Sequence, residues 1–251
     1  DINESAGTGA VTLTGNIGTA DVAGSGITKI GNAGMTGALT FGGTDYNTSG
    51  AQTFIADSYV MSGANPDFNT SDDAVSFEDG GITLATVSNL EINTGGGVGN
   101  VVIEGAIAGT SASSTTTVDI EAGAGSVTVA GMGTDIGNVT LDGSGGITLN
   151  GDITTAGGNI DINDATTLGG SVALTTANGT VNFAGTIVGT NGVTNDFDIS
   201  SGSGAVVLTG NIGGTTATNI GVTNLTSSGG ITLNGAISTQ GAITFTGPVK
   251  L

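Results

Sequence analysis

Hydrophobic and polar residues alternate along most of this chain in short bursts separated by glycine. In Gly145-Gly146-Ile147-Thr148-Leu149-Asn150-Gly151-Asp152-Ile153, apolar Ile147 and Leu149 stand two apart with polar neighbours, and Ile153 resumes the phase after Gly151. A period of two describes an extended strand with one buried face. Nearly the same letters return at Gly229-Gly230-Ile231-Thr232-Leu233-Asn234-Gly235-Ala236-Ile237. The run Gly9-Ala10-Val11-Thr12-Leu13-Thr14-Gly15-Asn16-Ile17-Gly18 likewise reappears at 204–213 with a single change, Val207 in place of Thr12. Looser versions run through Val101–Ile107, Ser126–Gly131 and Val181–Ile187.

One such strand cannot bury its apolar face alone, whereas copies stacked rung upon rung can. Equivalent strands in the second half recur at about 20 to 25 residues, inside the period range of solenoids. The pattern therefore predicts an all-β fold, a parallel β-helix (β-solenoid) of roughly eleven rungs and on the order of 50 Å long. Inward Ile, Val, Leu and Phe would form apolar ladders, with Thr, Asn and Ser outside. An antiparallel up-and-down barrel shares the alternation but has no need of near-identical rungs. Residues 1–251 thus read as a single solenoid segment. A second marker, an acid followed by isoleucine, precedes several strands: Asp1-Ile2, Glu91-Ile92, Asp119-Ile120, Asp161-Ile162 and Asp198-Ile199.

Residues 44–81 depart from this pattern. They hold Tyr46, Tyr59, Phe54, Phe68, Phe77 and Pro66, together with Asp57, Asp67, Asp72, Asp73, Glu78 and Asp79. The reading is an irregular acidic and aromatic insertion within the solenoid. The final run, Gly241 to Leu251, stops in mid-pattern without a polar cap. An open rung offers unpaired backbone and an apolar face, so neighbouring solenoid segments or subunits are expected end to end.

Composition narrows the classes. Of 251 residues 49 are glycine and two proline, and 9% are charged. Glycine without a period of three excludes collagen, and the regular supply of apolar residues argues against charge-driven disorder. The net charge is −19, with no histidine or arginine and only Lys29 and Lys250 as cations. Nucleic acid and direct membrane insertion are therefore not expected. Cysteine is absent, so disulfide and thiol chemistry are absent too. Asp1-Ile2-Asn3-Glu4 lacks the basic and apolar regions of a signal peptide, so a targeting segment or anchor would lie outside this sequence.

The candidate chemistry centres on 67–79. Asp67, Asn69, Ser71 and Asp73 fall at alternate positions and Glu78 lies eleven after Asp67, the spacing of an EF-hand-like oxygen cage for calcium. Asp72 stands where that loop has glycine. Many pectin-cleaving enzymes are β-helices, and Asp72, Asp73 and Glu78 supply the carboxylates a hydrolase needs; clustered acids are more often simply solvated. Lyase chemistry of that class uses a basic residue, usually arginine or lysine, and the two lysines here sit apart in sequence; zinc sites and nucleophilic triads need histidine or cysteine. Exposed Tyr46, Tyr59 and Phe68 would stack on sugars, or else pack the insertion onto its scaffold. Thr12 with Thr14, and Thr115 with Thr117, would form a flat hydroxyl array only if repeated on every rung, which they are not. Gly95-Gly96-Gly97 has neither the lysine nor the helix of a phosphate cradle.

The runs at 145–151, 229–235, 181–187 and 242–249 resemble the repeats of very large bacterial surface proteins, the filamentous-haemagglutinin-like adhesins and related β-strand-repeat exoproteins. The resemblance covers most of the chain outside 44–81. It implies a right-handed parallel β-helix, export to the cell surface, and a stalk or fibre that meets surface glycans or other cells. The expected function is a non-enzymatic extracellular structural or adhesive segment. The alternatives are a self-assembling filament or surface-layer subunit, and a carbohydrate-active β-helix using acids of 67–79.

Overall fold

The computed structural model describes residues 9–18, 26, 28–85, 89–110, 116–190, 193–214 and 220–251. The marker Asp1-Ile2 and Thr115 lie outside the described residues. In chain order the strands are β1 (Val11–Leu13), β2 (Thr28–Gly31), β3 (Leu39–Phe41), β4 (Asp45–Asn47), β5 (Gln52–Met61), β6 (Asp67–Asn69) and β7 (Val75–Leu84). There follow β8 (Leu90–Asn93), β9 (Val101–Ile103), β10 (Ile107–Gly109), β11 (Val118–Glu121), β12 (Val127–Val129), β13 (Met132–Ile136) and β14 (Val139–Asp142). Next come β15 (Ile147–Leu149), β16 (Ile153–Thr155), β17 (Ile160–Ile162), β18 (Thr166–Leu168), β19 (Val172–Thr176), β20 (Val181–Phe183) and β21 (Ile187–Gly189). The last are β22 (Asn195–Ser200), β23 (Val206–Leu208), β24 (Ile220–Thr226), β25 (Ile231–Leu233), β26 (Ile243–Thr246) and β27 (Val249–Lys250).

Every pairing between these strands is parallel, and each joins a strand to its counterpart one turn away. The chain therefore winds as a β-solenoid. It has three faces. On the first, β9, β12, β15, β18 and β21 stack in register; on the second, β10, β13, β16, β19, β22, β24 and β26 stack with a register shift between β13 and β16 and another between β22 and β24. Strands β5 and β7 run round the corner between these two, which joins them into one 17-stranded sheet. The third face is a separate 10-stranded sheet from β4 to β27, making about nine turns.

Alternation explains the interior. In the three-residue strands Val127–Val129, Ile147–Leu149 and Val181–Phe183 the outer two side chains are buried and the middle one is not. A single apolar column runs the length of the rod, from Ile30 to Leu233.

Residues 44–81 are not an insertion. They form β4 to β7, each in parallel register with the turns on either side. Tyr46, Phe54, Tyr59, Phe68 and Phe77 occupy inward positions held elsewhere by aliphatics: Phe68 pairs with Ile92, Phe77 with Ile103 and Tyr59 with Leu39. All five are fully buried. Phe41 sits at their centre, with ring centroids 5.0 Å from Tyr46, 5.0 Å from Phe54 and 5.1 Å from Phe68, all edge-on. Aromatic residues fill wider stretches of core without interrupting the stack.

Within each near-identical pair, 145–153 with 229–237 and 9–18 with 204–213, the two runs do not stack on each other, although 229–237 stacks on 204–213. In 145–153 the strand is on the first face and Ile153 begins the second. In 229–237 the strand is on the third face and Ile237 bridges to Ile212 on the first. In 9–18 the strand is on the second face and Ile17 bridges to Tyr46 on the third. The repeated unit is a corner, strand then glycine then apolar residue, and it serves at all three corners.

Corner glycines stack because adjacent turns approach too closely for a side chain. A Cβ on Gly210 would stand 2.2 Å from the carbonyl oxygen of Gly185, and one on Gly235 would stand 2.3 Å from that of Gly210. Where strand pairing lapses at these corners, asparagine replaces it. The Oδ1 atoms of Asn100, Asn138, Asn159 and Asn211 accept the backbone N–H of Ser126, Asn159, Thr180 and Ala236 on the next turn at 2.8–2.9 Å.

Candidate functional site

The third face carries the most concentrated chemistry. Its register places Asp45 opposite Asp67, Asp67 opposite Glu91, and Glu91 opposite Asp119. Parallel pairing sets neighbouring side chains about 4.8 Å apart along the rod, so these are four carboxylates in unbroken succession. The column continues through Thr140, Asp161, Asn182, Val207, Thr232 and Lys250. Beside it stands a second column, Asn47, Asn69, Asn93, Glu121 and Asp142.

Asparagines of the second column serve the acids. Asn69 Nδ2 donates to Asp67 Oδ2 at 2.7 Å, and Asn93 Nδ2 donates to Glu121 Oε2 at 2.9 Å. Asp45 is held from the corner, by Asn16 Nδ2 at 2.6 Å and the Thr44 hydroxyl at 2.7 Å. Asp67 Oδ1 and Asp119 Oδ1 are buried and accept no hydrogen bond. Asn47, 4% exposed, has neither amide atom partnered.

Burial pushes the Asp67 carboxyl above the ordinary carboxylate range; the Asn69 amide opposes this and the Asp45 charge adds to it. Burial also raises Glu91, reinforced by Asp67, Asp119 and Glu121. Asp119 is raised by burial and then by Asp142, and Asp161 by burial against the opposing hydrogen bond of Asn182. Two full charges at this separation repel by about 1 kcal/mol in water and several-fold more where water is displaced.

The residues proposed from sequence as a calcium cage are distributed differently. Asp67 and Asn69 lie on β6, on the third face; Ser71 and Asp73 are exposed in the turn that follows; Glu78 lies on β7 in the other sheet, just past its first-face pairing. Glu78 pairs in register with Ile55 and takes a hydrogen bond from Ser76 Oγ at 3.2 Å. The alternation that suggested a loop is the period of a strand, and the five residues straddle a corner. Among the described residues, no group of three or more acids has the geometry to hold a metal ion. Asp72 has φ of 70° and its Oδ1 accepts Gly97 N–H at 2.6 Å, a structural bond between turns.

Tyr46, Tyr59 and Phe68 are core residues, closed to sugars. Tyr59 hydroxyl donates to the Phe54 carbonyl at 2.8 Å, and burial raises its pKa above that of a free phenol. Threonines form single files, such as Thr128, Thr148 and Thr167 on the first face, rather than a broad array. A hollow on the second face is lined by Asp152, Asp196 and Asp198. Each of these acids accepts a bond from the next turn: Asp152 from Ala173 N–H, Asp196 from Val222 N–H and Asp198 from Asn224. They staple turns together.

The chain matches no family model, no curated protein and no solved structure. Its chemistry must be read from its own columns. Sequence reasoning singled out Glu91, Asp119 and Asp161 as strand markers but missed that Asp45-Tyr46 and Asp67-Phe68 are the same marker with an aromatic in the isoleucine position. That substitution was the available signal.

Proposed function

We propose that this chain is a non-enzymatic structural segment of an elongated bacterial surface fibre, whose work is to span distance outside the cell and present its faces to glycans or neighbouring cells. The observation that carries this reading is the unbroken parallel register of the third face from β4 to β27. Each turn repeats the same contacts with the next, so the property specified over and over is length. The surface charge of the first half keeps such rods apart in solution. The resemblance of the glycine-punctuated runs to filamentous-haemagglutinin-like repeats supports the same assignment.

The test is direct: beads coated with the purified segment should adhere to cells or to an array of surface glycans, and the segment should leave a panel of acidic and neutral polysaccharides intact. Cleavage of any of them, abolished by Asp72→Asn or Asp73→Asn, would replace this reading with the carbohydrate-active one.

A further inference from the structure

Parallel pairing leaves the third face no latitude: a side chain in one turn fixes the place of its counterpart in the next. Four successive turns put Asp45, Asp67, Glu91 and Asp119 into one column. The other charged groups on the neighbouring strands of that face are Glu121 on β11, Asp142 on β14 and Asp161 on β17, all acidic. Lys250 shares the column but lies six turns beyond Asp119, roughly 29 Å away and well past the screening length. Lys29 is on β2, in the other sheet.

Two further observations bear on the protonation of this column. Asp67 Oδ1 and Asp119 Oδ1 are buried without any donor. Asn47, buried on β4, leaves both its amide donor and its amide acceptor unpartnered, and alternation with inward Tyr46 sets it on the face of the column. An ionised carboxylate with an undonated buried oxygen, among like charges, is in its less favourable state. The neutral acid carries its own O–H donor and ends the repulsion.

We propose that the Asp67–Glu91–Asp119 stretch of this column is a proton-binding element that makes the rod more stable in mildly acidic than in neutral surroundings. It goes beyond the adhesive reading and does not depend on it. The sign follows from linkage. Asp67, Glu91 and Asp119 all have folded-state pKa values raised by burial first, with Asp45 adding to this at Asp67, Asp142 at Asp119, and Asp67, Asp119 and Glu121 at Glu91. The folded chain therefore binds more protons than the unfolded one above about pH 4. The stabilisation is complete below the ordinary carboxylate range and is lost as pH rises through the raised values. Salt-bridged carboxylates behave in the opposite way.

Thermal unfolding of the full chain from about pH 4.5 to about pH 7.5 should show the midpoint falling by about 3 °C or more. Asp67→Asn/Glu91→Gln/Asp119→Asn, which fixes the column in a neutral form, should flatten that profile and raise the midpoint at neutral pH. Asp57→Asn/Asp73→Asn/Asp79→Asn removes the same charge away from the column and should keep the wild-type slope. Equal flattening in both triple variants would reduce the effect to general repulsion and overturn the proposal, as would a midpoint that rises with pH in the wild type. Should the column variant not fold, carboxyl carbon NMR of the wild type decides: Asp67, Glu91 and Asp119 must titrate above the ordinary carboxylate values, and ordinary midpoints there refute it.

Discussion

Replacing Gly210 with alanine tests the close approach of turns most sharply, because the same ten-residue run offers its own control. The backbone at Gly210 is not in the left-handed region, so alanine meets no conformational barrier and the cost is steric alone. The new Cβ would lie 2.2 Å from the carbonyl oxygen of Gly185, 2.3 Å from its carbon and 2.6 Å from Thr186 N. These are backbone atoms and cannot rotate away. Relief requires the two turns to part locally by about 1 Å. The neighbouring bond from Ile187 N–H to Asn211 O, 2.8 Å long, would then exceed hydrogen-bonding distance. Losing it costs about 1 kcal/mol, and residual crowding about 1–3 kcal/mol more. Gly210→Ala should therefore lose about 2–4 kcal/mol in urea unfolding at unchanged slope. Gly15 holds the same place in the run 9–18, yet a Cβ there meets nothing within 4 Å. Gly15→Ala should stay within about 0.5 kcal/mol of wild type. Equal losses for the two variants, or a loss under about 0.5 kcal/mol at Gly210, would refute the argument from turn spacing.

Other perturbations follow from the same contacts. Thr223 is fully buried with its hydroxyl unpartnered, so Thr223→Val should raise stability by about 1 kcal/mol in the same unfolding assay. Tyr59→Phe strips the Phe54 carbonyl of a donor and the Ala56 N–H of an acceptor at 3.0 Å, and should cost about 1–3 kcal/mol. In the wild type, alkaline difference spectra should show Tyr59 resisting ionisation beyond the pH at which free tyrosine titrates, until the rod unfolds. Because Asp67 and Glu78 lie on different faces, calorimetric titration with calcium should show no heat that depends on either; heat abolished by Asp67→Asn together with Glu78→Gln would restore the cage.

The alternation of inward and outward residues, and with it the parallel solenoid, was legible in strands as short as Ile147–Leu149. A glycine-rich chain with two prolines has few other ways to bury its isoleucines. Which face each strand joins was not legible. Gly-Gly-Ile-Thr-Leu-Asn-Gly encodes a strand and a bend, and a bend looks alike wherever it falls on the circumference. Identical letters therefore mark a bend without telling at which corner it falls. The aromatic stretch misled for a related reason: Tyr46 and Phe68 are larger than isoleucine, but the backbone slot is the same. The acidic column depends on registers of 22, 24 and 28 residues between Asp45, Asp67, Glu91 and Asp119. Unequal turn lengths conceal it from any fixed-period search. The proposed calcium ligands matched a spacing that strands reproduce by accident, since alternate positions on β6 share a side of the sheet.

That the repeated unit is a bend and not a full circuit constrains how such a chain can grow. Copying one bend into the gene would rotate everything downstream onto the next side, and a continuous stripe of acids would be broken at the insertion. Only additions that complete the circuit preserve alignment. The stripe from Asp45 to Asp119 thus requires phase to be held through turns of unequal length, with the loops taking up the difference.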